Sequence, residues 1–299
     1  MVDELLAFDQ PRPHFSPALA ESLRRRMEEA LSPVADALDR PLRVGKHDIS
    51  SVHTCEAYFR AEKDSFAWAP RTSYGAIAHR ALRLSISLRD DPAPLDLVDM
   101  AIDAYVADDQ GDGGLGRYLQ SASPVDLGEL RAQANDVVFQ FLECFPPLQR
   151  DWRPRTDTPI LVKLCAERVS LRGRPDLAFG QARGEEAGVL IVDLKTGWSY
   201  PHHFDDLRFY ALLQTLKTGV PPYRVASYYL DSATFHHEEV TPAILEIAAG
   251  RAVDGIRKIA RLLEQDGPAA ITPGPTCRWC RLRDDCDGPG QLSEPDSDF

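Results

Sequence analysis

Asp176, Asp193 and Lys195 stand out in this 299-residue chain as side chains suited by type and position to reactive work. Asp176 ends the run Gly173-Arg174-Pro175-Asp176, and the other two sit one residue apart in Val192-Asp193-Leu194-Lys195. Side chains alternate along a strand, so Asp193 and Lys195 face the same way. A hairpin between Asp176 and Asp193 brings their carboxylates together, and two close carboxylates repel unless a cation lies between them. Hard oxygen ligands of this kind suit Mg2+ or Mn2+. The backbone carbonyl of Leu194 is a further candidate ligand. A divalent ion held there lowers the pKa of a bound water, sets it in line and neutralises charge on a phosphate, which is what phosphodiester cleavage requires. Lys195 would orient the water or stabilise the developing charge.

The cysteines form a second constellation. Cys277, Cys280 and Cys286 give a C-x2-C-x5-C pattern near the end of the chain, and Cys55 is the natural fourth ligand far upstream. Closely spaced thiols in a cytosolic chain argue for metal rather than disulfides. The spacing leaves a four-cysteine zinc site and an iron–sulfur cluster both open. Either would close a very long loop and pin both ends of the chain around its core. Trp279, inside the pattern, is expected to shield the site from water, and Cys144 and Cys165 are expected to be small core hydrophobes.

The elements that must carry these residues follow from the hydrophobic period. Residues 22–38 read as a helix and 41–50 as a connection. A helix starting near Ser73 places Ile77, Ala78, Ala81, Leu82 and Ser85 on one face. Residues 95–107 and 127–145 read as two amphipathic helices, joined by a Gly/Asp loop over 108–116. After Pro159 the pattern changes: a strand over 160–171, a second over 176–179, a turn over 181–188, and a near-continuous apolar run over 189–194 that suits a strand buried on both faces. A helix over 205–217 stops at Gly219, a strand over 225–230 lies parallel to the preceding one, and 242–264 forms a long last helix. The expected fold class is α/β: a mixed central sheet flanked by helices, with a helical insertion over about 90–155 and a Cys-rich C-terminal segment. The expected organisation is an N-terminal helical extension (1–44), a core domain (45–287) and a disordered acidic tail (288–299).

The net charge is −12, from 46 acidic and 34 basic residues, whereas a protein that binds nucleic acid by charge alone is usually basic. The basic residues are clustered, however, at Arg24–Arg26, at Arg150, Arg153 and Arg155, at Arg168, Arg172 and Arg174, and at Arg278, Arg281 and Arg283. No apolar run is long enough for a transmembrane helix and the N-terminus does not read as a secretory signal, so a cytoplasmic protein is expected, with no membrane partner.

Together these motifs resemble the PD-(D/E)XK nuclease superfamily, and within it the RecB-like branch. That branch carries a metal-binding histidine in a Gly-x-x-x-His pattern, which Tyr74-Gly75-Ala76-Ile77-Ala78-His79 matches. Gly75 and His79 lie one turn apart on a helix face, so the glycine would leave room beside the imidazole. The branch also carries Gln-x-x-x-Tyr on the helix after the lysine. Here the stretch is Asp206-Leu207-Arg208-Phe209-Tyr210, with the tyrosine in place and an aspartate at the glutamine position. Asp206 then either contacts substrate or metal-bound water, or is a plain helix-surface acid. One cysteine ahead of the motifs and three after them is similar to the iron staple of CRISPR-associated and AddB-type exonuclease domains, where four thiolates hold a [4Fe–4S] cluster.

The resemblance implies a restriction-endonuclease-like core and a Mg2+- or Mn2+-dependent DNA nuclease. It implies His79, Asp176 and Asp193 as metal ligands with the Leu194 carbonyl, Lys195 as catalytic lysine, and Tyr210, Asp206 and Glu167 as accessory groups. Cys55, Cys277, Cys280 and Cys286 would hold the cluster. The implied substrate is DNA with single-stranded ends, in repair, recombination or CRISPR adaptation, with a helicase or recombination/CRISPR protein as partner. Competing readings are an inactive DNA-binding or assembly subunit of the same fold, a zinc-stapled nuclease, and a redox-sensing iron–sulfur protein.

Overall fold

The computed structural model describes the chain except residues 1, 8–9, 64–66, 89–91, 109–113, 201, 265–267, 279 and 289–299. Trp279 and nearly all of the expected acidic tail therefore lie outside the described residues.

Ten helices and eight strands are described. In chain order the elements are α1 (Val2–Leu6), α2 (Ala18–Ala37), β1 (Leu42–Gly45), α3 (Lys46–Thr54), α4 (Glu56–Lys63), α5 (Pro70–Ser87), α6 (Pro94–Ala107), α7 (Leu115–Ser121) and α8 (Pro124–Cys144). There follow β2 (Arg155–Thr156), β3 (Ile160–Leu164), β4 (Val169–Gly173), β5 (Leu177–Gly180), β6 (Val189–Lys195), α9 (His202–Thr218), β7 (Arg224–Tyr229), β8 (Thr234–Glu239) and α10 (Pro242–Glu264).

The strands form two sheets rather than one. A mixed five-stranded sheet has the order β2-β5-β6-β7-β8, and a mixed three-stranded sheet has the order β1-β4-β3. As expected, β7 runs parallel to β6 across α9, in the register Asp193↔Ser227 and Lys195↔Tyr229. The apolar run of β6 serves two cores at once. Val189 and Ile191 face a cluster shared with α2, α9, α10 and the small sheet. Leu190, Val192 and Leu194 face a second cluster built with α5, α6 and α8. This is the period-two alternation of a strand covered on both sides. Asp193 and Lys195 continue the odd-numbered face, so the sheet delivers both to the side covered by α9.

Several expectations are corrected. Residues 160–171 are not one strand but the antiparallel hairpin β3–β4. Its turn needs left-handed backbone at Cys165, Ala166 and Glu167 (φ 51°, 50° and 69°) without any glycine to signal it. Residues 41–50 are not a connection: they hold β1, parallel to β4, and the start of α3. The histidine helix starts at Pro70, where proline fits the first turn and the Thr72 hydroxyl accepts the Ala69 N–H. β8 escaped notice because its half-exposed sequence Thr-Phe-His-His-Glu-Glu is polar. Of the expected loop over 108–116, residues 109–113 lie outside the described residues and Leu115 already begins α7. Cys144 is exposed rather than a core hydrophobe, while Cys165 packs half-buried against the first core. The N-terminal segment does not stand apart: Leu23, Met27 and Leu31 of α2 belong to the first core.

The two sheets close on one another through α9. Gly173 ends β4, and a Cβ there would lie 2.5 Å from Leu213 Cδ1 and 2.9 Å from Tyr210 Cε1. Gly173→Ala is expected to cost about 1–3 kcal/mol by overpacking. Urea denaturation would show it as a lowered midpoint at unchanged slope; an unaltered midpoint would mean that α9 is free to shift.

Candidate active site

Strand β6 ends where the cleft begins. Lys46, His79, Asp176, Asp193, Leu194, Lys195, Thr196 and Tyr210 line one open cavity of about 550 Å3. Five elements or their edges thus meet at one point: the start of α3, the middle of α5, the turn before β5, the end of β6 and the middle of α9.

Asp176 is fixed by both of its oxygens. Oδ1 accepts a hydrogen bond from His79 Nδ1 at 3.0 Å, and Oδ2 accepts the Leu194 N–H at 2.8 Å. The second bond clamps the turn before β5 onto the end of β6. Asp193 is almost fully buried and is matched by two ammonium groups: Lys46 Nζ lies 3.2 Å from each of its oxygens and Lys195 Nζ 2.7 Å from Oδ2. Both lysines also reach Asp206 on α9, at 3.6 Å from Lys46 and 3.3 Å from Lys195. Asp206 is therefore no plain surface acid. It is buried and completes a two-acid, two-lysine cluster. Tyr210 donates from its hydroxyl to the Arg174 carbonyl at 3.2 Å, and its ring lies 4.9 Å below Lys46 Nζ.

The protonation states follow from these contacts. Burial works to raise the Asp193 carboxyl, but Lys46 and Lys195 outweigh it and hold the group well below the usual carboxylate range. Burial works to lower Lys46 and Lys195, but the surrounding carboxylates together outweigh it, Asp193 and Asp206 in both cases and Asp176 also at Lys46, and keep the ammonium groups charged. Burial likewise opposes charge on His79, and Asp176 beside it raises its pKa above the ordinary value. Tyr210 is pushed up by burial and the nearby carboxylates, so it stays a neutral donor.

Sequence reasoning missed Lys46. The only local signal was a lone lysine after Gly45, in a stretch read as a connection. Its role appears only because β1 pairs with β4 and so delivers residue 46 to the mouth of the cleft. The function expected of Gly75 also needs refinement: a Cβ there would lie 2.9 Å from Thr196 Oγ1, so the glycine makes room for the loop after β6. Glu167, expected as a third acid on a strand, lies instead in the β3–β4 turn. Its side chain is 67% exposed and pairs with Lys163, at the end of β4 remote from Gly173 and Asp176. The arginine clusters expected to track phosphates are partly committed elsewhere. Arg24 donates to the carbonyls of Lys163 and Leu216, and Arg168 to those of Ala35 and Leu38.

Two carboxylates and an imidazole, groups of the kind a hard divalent ion takes, line the cleft together. Among the described residues no three acidic, histidine or cysteine side chains are drawn together at ion-binding geometry. The reason lies in the contacts above, where Lys46 and Lys195 occupy the oxygens of Asp193 and Asp176 is turned onto His79 and Leu194.

The four cysteines also converge. Cys55, Cys277, Cys280 and Cys286 line one cavity of about 370 Å3 with Tyr58, Ile271 and Leu282. Three of the sulfurs accept a backbone N–H at 3.4 Å: Cys55 from Thr272, Cys277 from Gly274 and Cys286 from Gly288. Cys280 accepts from Leu282. Glu56 anchors the upstream side, since its buried carboxylate accepts the Ala270 N–H at 2.9 Å and pairs with Arg261 at 2.5 Å. Burial outweighs the Leu282 amide at Cys280 and pushes that thiol up.

Lys46→Met is expected to leave Asp193 and Asp206 facing each other with one cation fewer, a loss on the order of 3–5 kcal/mol for breaking a buried pair. A divalent ion can replace the missing charge. Thermal melts of this variant should therefore show a larger Mn2+-induced rise in Tm than wild type, with EDTA as baseline; equal rises would place the ion away from Asp193. A second group gives a pH test. Burial and the neighbouring Lys195 push His203 down to about 4, and its Nδ1 lies 2.9 Å from the Tyr229 hydroxyl. The unfolded chain binds this proton first, so folding stability is full above about pH 6.5 and falls as the pH drops from there to about 4. His203→Gln should flatten that part of the stability–pH curve by about 1–3 kcal/mol; an unchanged curve would show that His203 is charged in the fold.

A model of the PD-(D/E)XK nuclease superfamily matches residues 47–287, a stretch that starts beside Lys46 and ends just past Cys286. No curated protein matches. Among solved structures, the chain is 12% identical to the "Putative exonuclease" of Eubacterium rectale, covering 95% of this chain and 97% of that one at a TM-score of 0.46. It is 15% identical to SSO0001, covering 92% and 98% at a TM-score of 0.38. The assignment rests on the family match and not on these distant likenesses. With its mixed sheets flanked by helices in the restriction-endonuclease-like arrangement, the chain belongs to the PD-(D/E)XK nuclease superfamily.

Proposed function

We propose that the protein is a RecB-like deoxyribonuclease that hydrolyses phosphodiester bonds with Mg2+ or Mn2+ and acts on DNA with single-stranded ends. The observation that carries this reading is the convergence of His79, Asp176, Asp193 and Lys195, from three separate parts of the chain, on one open cleft. His79, Asp176, Asp193 and the Leu194 carbonyl would hold the ion, which supplies an activated water and charge neutralisation at the phosphate. Lys195, kept charged by Asp193, is positioned to stabilise negative charge that develops on the phosphate oxygens. Asp206 keeps the Lys195 ammonium directed into the cleft, and Tyr210 braces the Arg174 carbonyl in the turn that presents Asp176. Repair, recombination or CRISPR adaptation is the setting, with a separate protein for unwinding.

The cysteine site is proposed to hold a structural [4Fe–4S] cluster. What supports it is the resemblance of the four-cysteine pattern to the iron staple, together with the four cysteines lining one cavity; a zinc ion uses the same ligands. No described helix is long and apolar enough to cross a membrane.

Digestion of end-labelled single- and double-stranded DNA with Mg2+ and Mn2+ tests the reading. Wild type should cleave, single strands preferentially, and Asp193→Asn should lose at least about 10^2–10^3-fold in rate. An inert wild type that still binds DNA would identify an assembly subunit instead. Purified protein should be brown and carry about four irons. Cys280→Ser should remove the colour and lower Tm, whereas colourless protein with one zinc would replace the cofactor and leave the nuclease reading standing.

A further inference from the structure

Trp198 follows the catalytic strand by three residues and is 78% exposed, the most exposed of the large hydrophobic side chains described. A bare indole costs solvation free energy, and an exposed aromatic beside a functional cleft marks a contact surface. The backbone leading to it is tied down. The Leu230 N–H donates to the Lys195 carbonyl at 2.8 Å, and the Gly197 N–H donates to Asp231 Oδ2 at 2.6 Å. Gly197 takes φ +85°, a left-handed conformation that suits glycine, just before Trp198. Three residues of extended chain span at most about 10–11 Å, so the indole stays in reach of Lys195.

The surroundings have the chemistry of a single-strand path. Arg71 has its guanidinium 3.6 Å from the Cβ position of Gly197. Arg71, Thr72 and Thr196 line a cavity of about 920 Å3 that shares His79, Asp176 and Thr196 with the active cleft, so the two spaces adjoin. Tyr200, 41% exposed, stacks on His202 with centroids 5.5 Å apart on the other side of Trp198 in the chain. Proteins that hold unpaired strands combine a cationic groove with aromatic faces on which bases stack, and each base stacked contributes about 1–3 kcal/mol. A paired duplex offers its bases only at the grooves and cannot use such a face.

We propose that Trp198 is a base-stacking platform that holds an unpaired nucleobase of the substrate strand next to the scissile phosphate, with Arg71 on the adjoining phosphate. This rests on the nuclease reading for its substrate and adds the feature that selects unpaired strands.

The test is equilibrium binding in EDTA, where no metal-dependent cleavage runs, read by anisotropy of a labelled oligo-dT and of an abasic strand of the same length. The abasic strand keeps the phosphates and lacks the bases. Wild type should prefer oligo-dT. Trp198→Ala should weaken oligo-dT binding about 5- to 100-fold with abasic binding unchanged, and Trp198→Phe should restore most of the loss. The proposal is overturned if Trp198→Ala keeps the wild-type ratio of the two affinities, or weakens both strands equally. A wild-type self-association abolished by Trp198→Ala in sedimentation would also overturn it and make the indole a protein contact. Failure of the nuclease reading shows separately, as absence of cleavage in Mg2+ and Mn2+ while the binding ratio is still measured.

Discussion

A carboxylate buried at the end of a central strand must be balanced by positive charge, and the architecture of this protein answers to that demand. Asp193 sits with 3% of its side chain exposed, where an unpaired charge would be untenable. Lys195 comes with it on the same strand face. Lys46 has to be brought from far upstream, and what brings it is the parallel pairing of β1 with β4. The small sheet is thus more than a lid on the first core. It carries at its edge the ammonium that keeps the main sheet's acid ionised. An acid held ionised in this way is ready to trade an ammonium for a metal ion at little protonation cost.

The cysteine site applies a similar long-range constraint to the other end of the same helices. Cys55 caps the end of α3, whose first residue is Lys46, so one short helix spans the distance between the cysteine site and the cleft. Its far end is held by the contacts of Glu56 with Ala270 and Arg261 and by the thiols from the C-terminal segment. His53, on that helix, meets the Arg251 carbonyl at 3.0 Å, and Gly255 of α10 lets it approach: a Cβ there would lie 3.2 Å from His53 Nε2. The cysteine site is thus tied through α3 to the ammonium that sits against Asp193.

That the candidate acids and the thiols come together was legible in the sequence because their spacing is local: Asp193-x-Lys195 and Cys277-x-x-Cys280 state their geometry within a few residues. β6 and α9 were legible because one is apolar but for Asp193 and Lys195 and the other ends at a glycine. What could not be read depended on distant partners or on backbone that carries no mark. The β3–β4 turn uses three left-handed residues without glycine, so the hairpin looked like a single strand and Glu167 looked like a site acid. Lys46 had no motif at all. Asp206 looked like a departure from a pattern, yet its burial against two lysines gives it a definite electrostatic role.

The distribution of charge decides how such an acidic protein meets DNA. Many of its arginines neutralise no phosphate, since they terminate helices and strands: Arg24, Arg168 and Arg257 donate to main-chain carbonyls, and Arg224 spans Glu4, Leu5 and Glu239. At physiological salt, fields between exposed charges fade beyond about 8–10 Å. A net charge of −12 spread over the surface therefore neither attracts DNA nor strongly repels it at the cleft, where screening and local groups prevail. Binding has to be assembled at short range, from contacts that owe little to net charge. The stacking proposed for Trp198 is of that kind: it is largely indifferent to salt and available only where bases are unpaired.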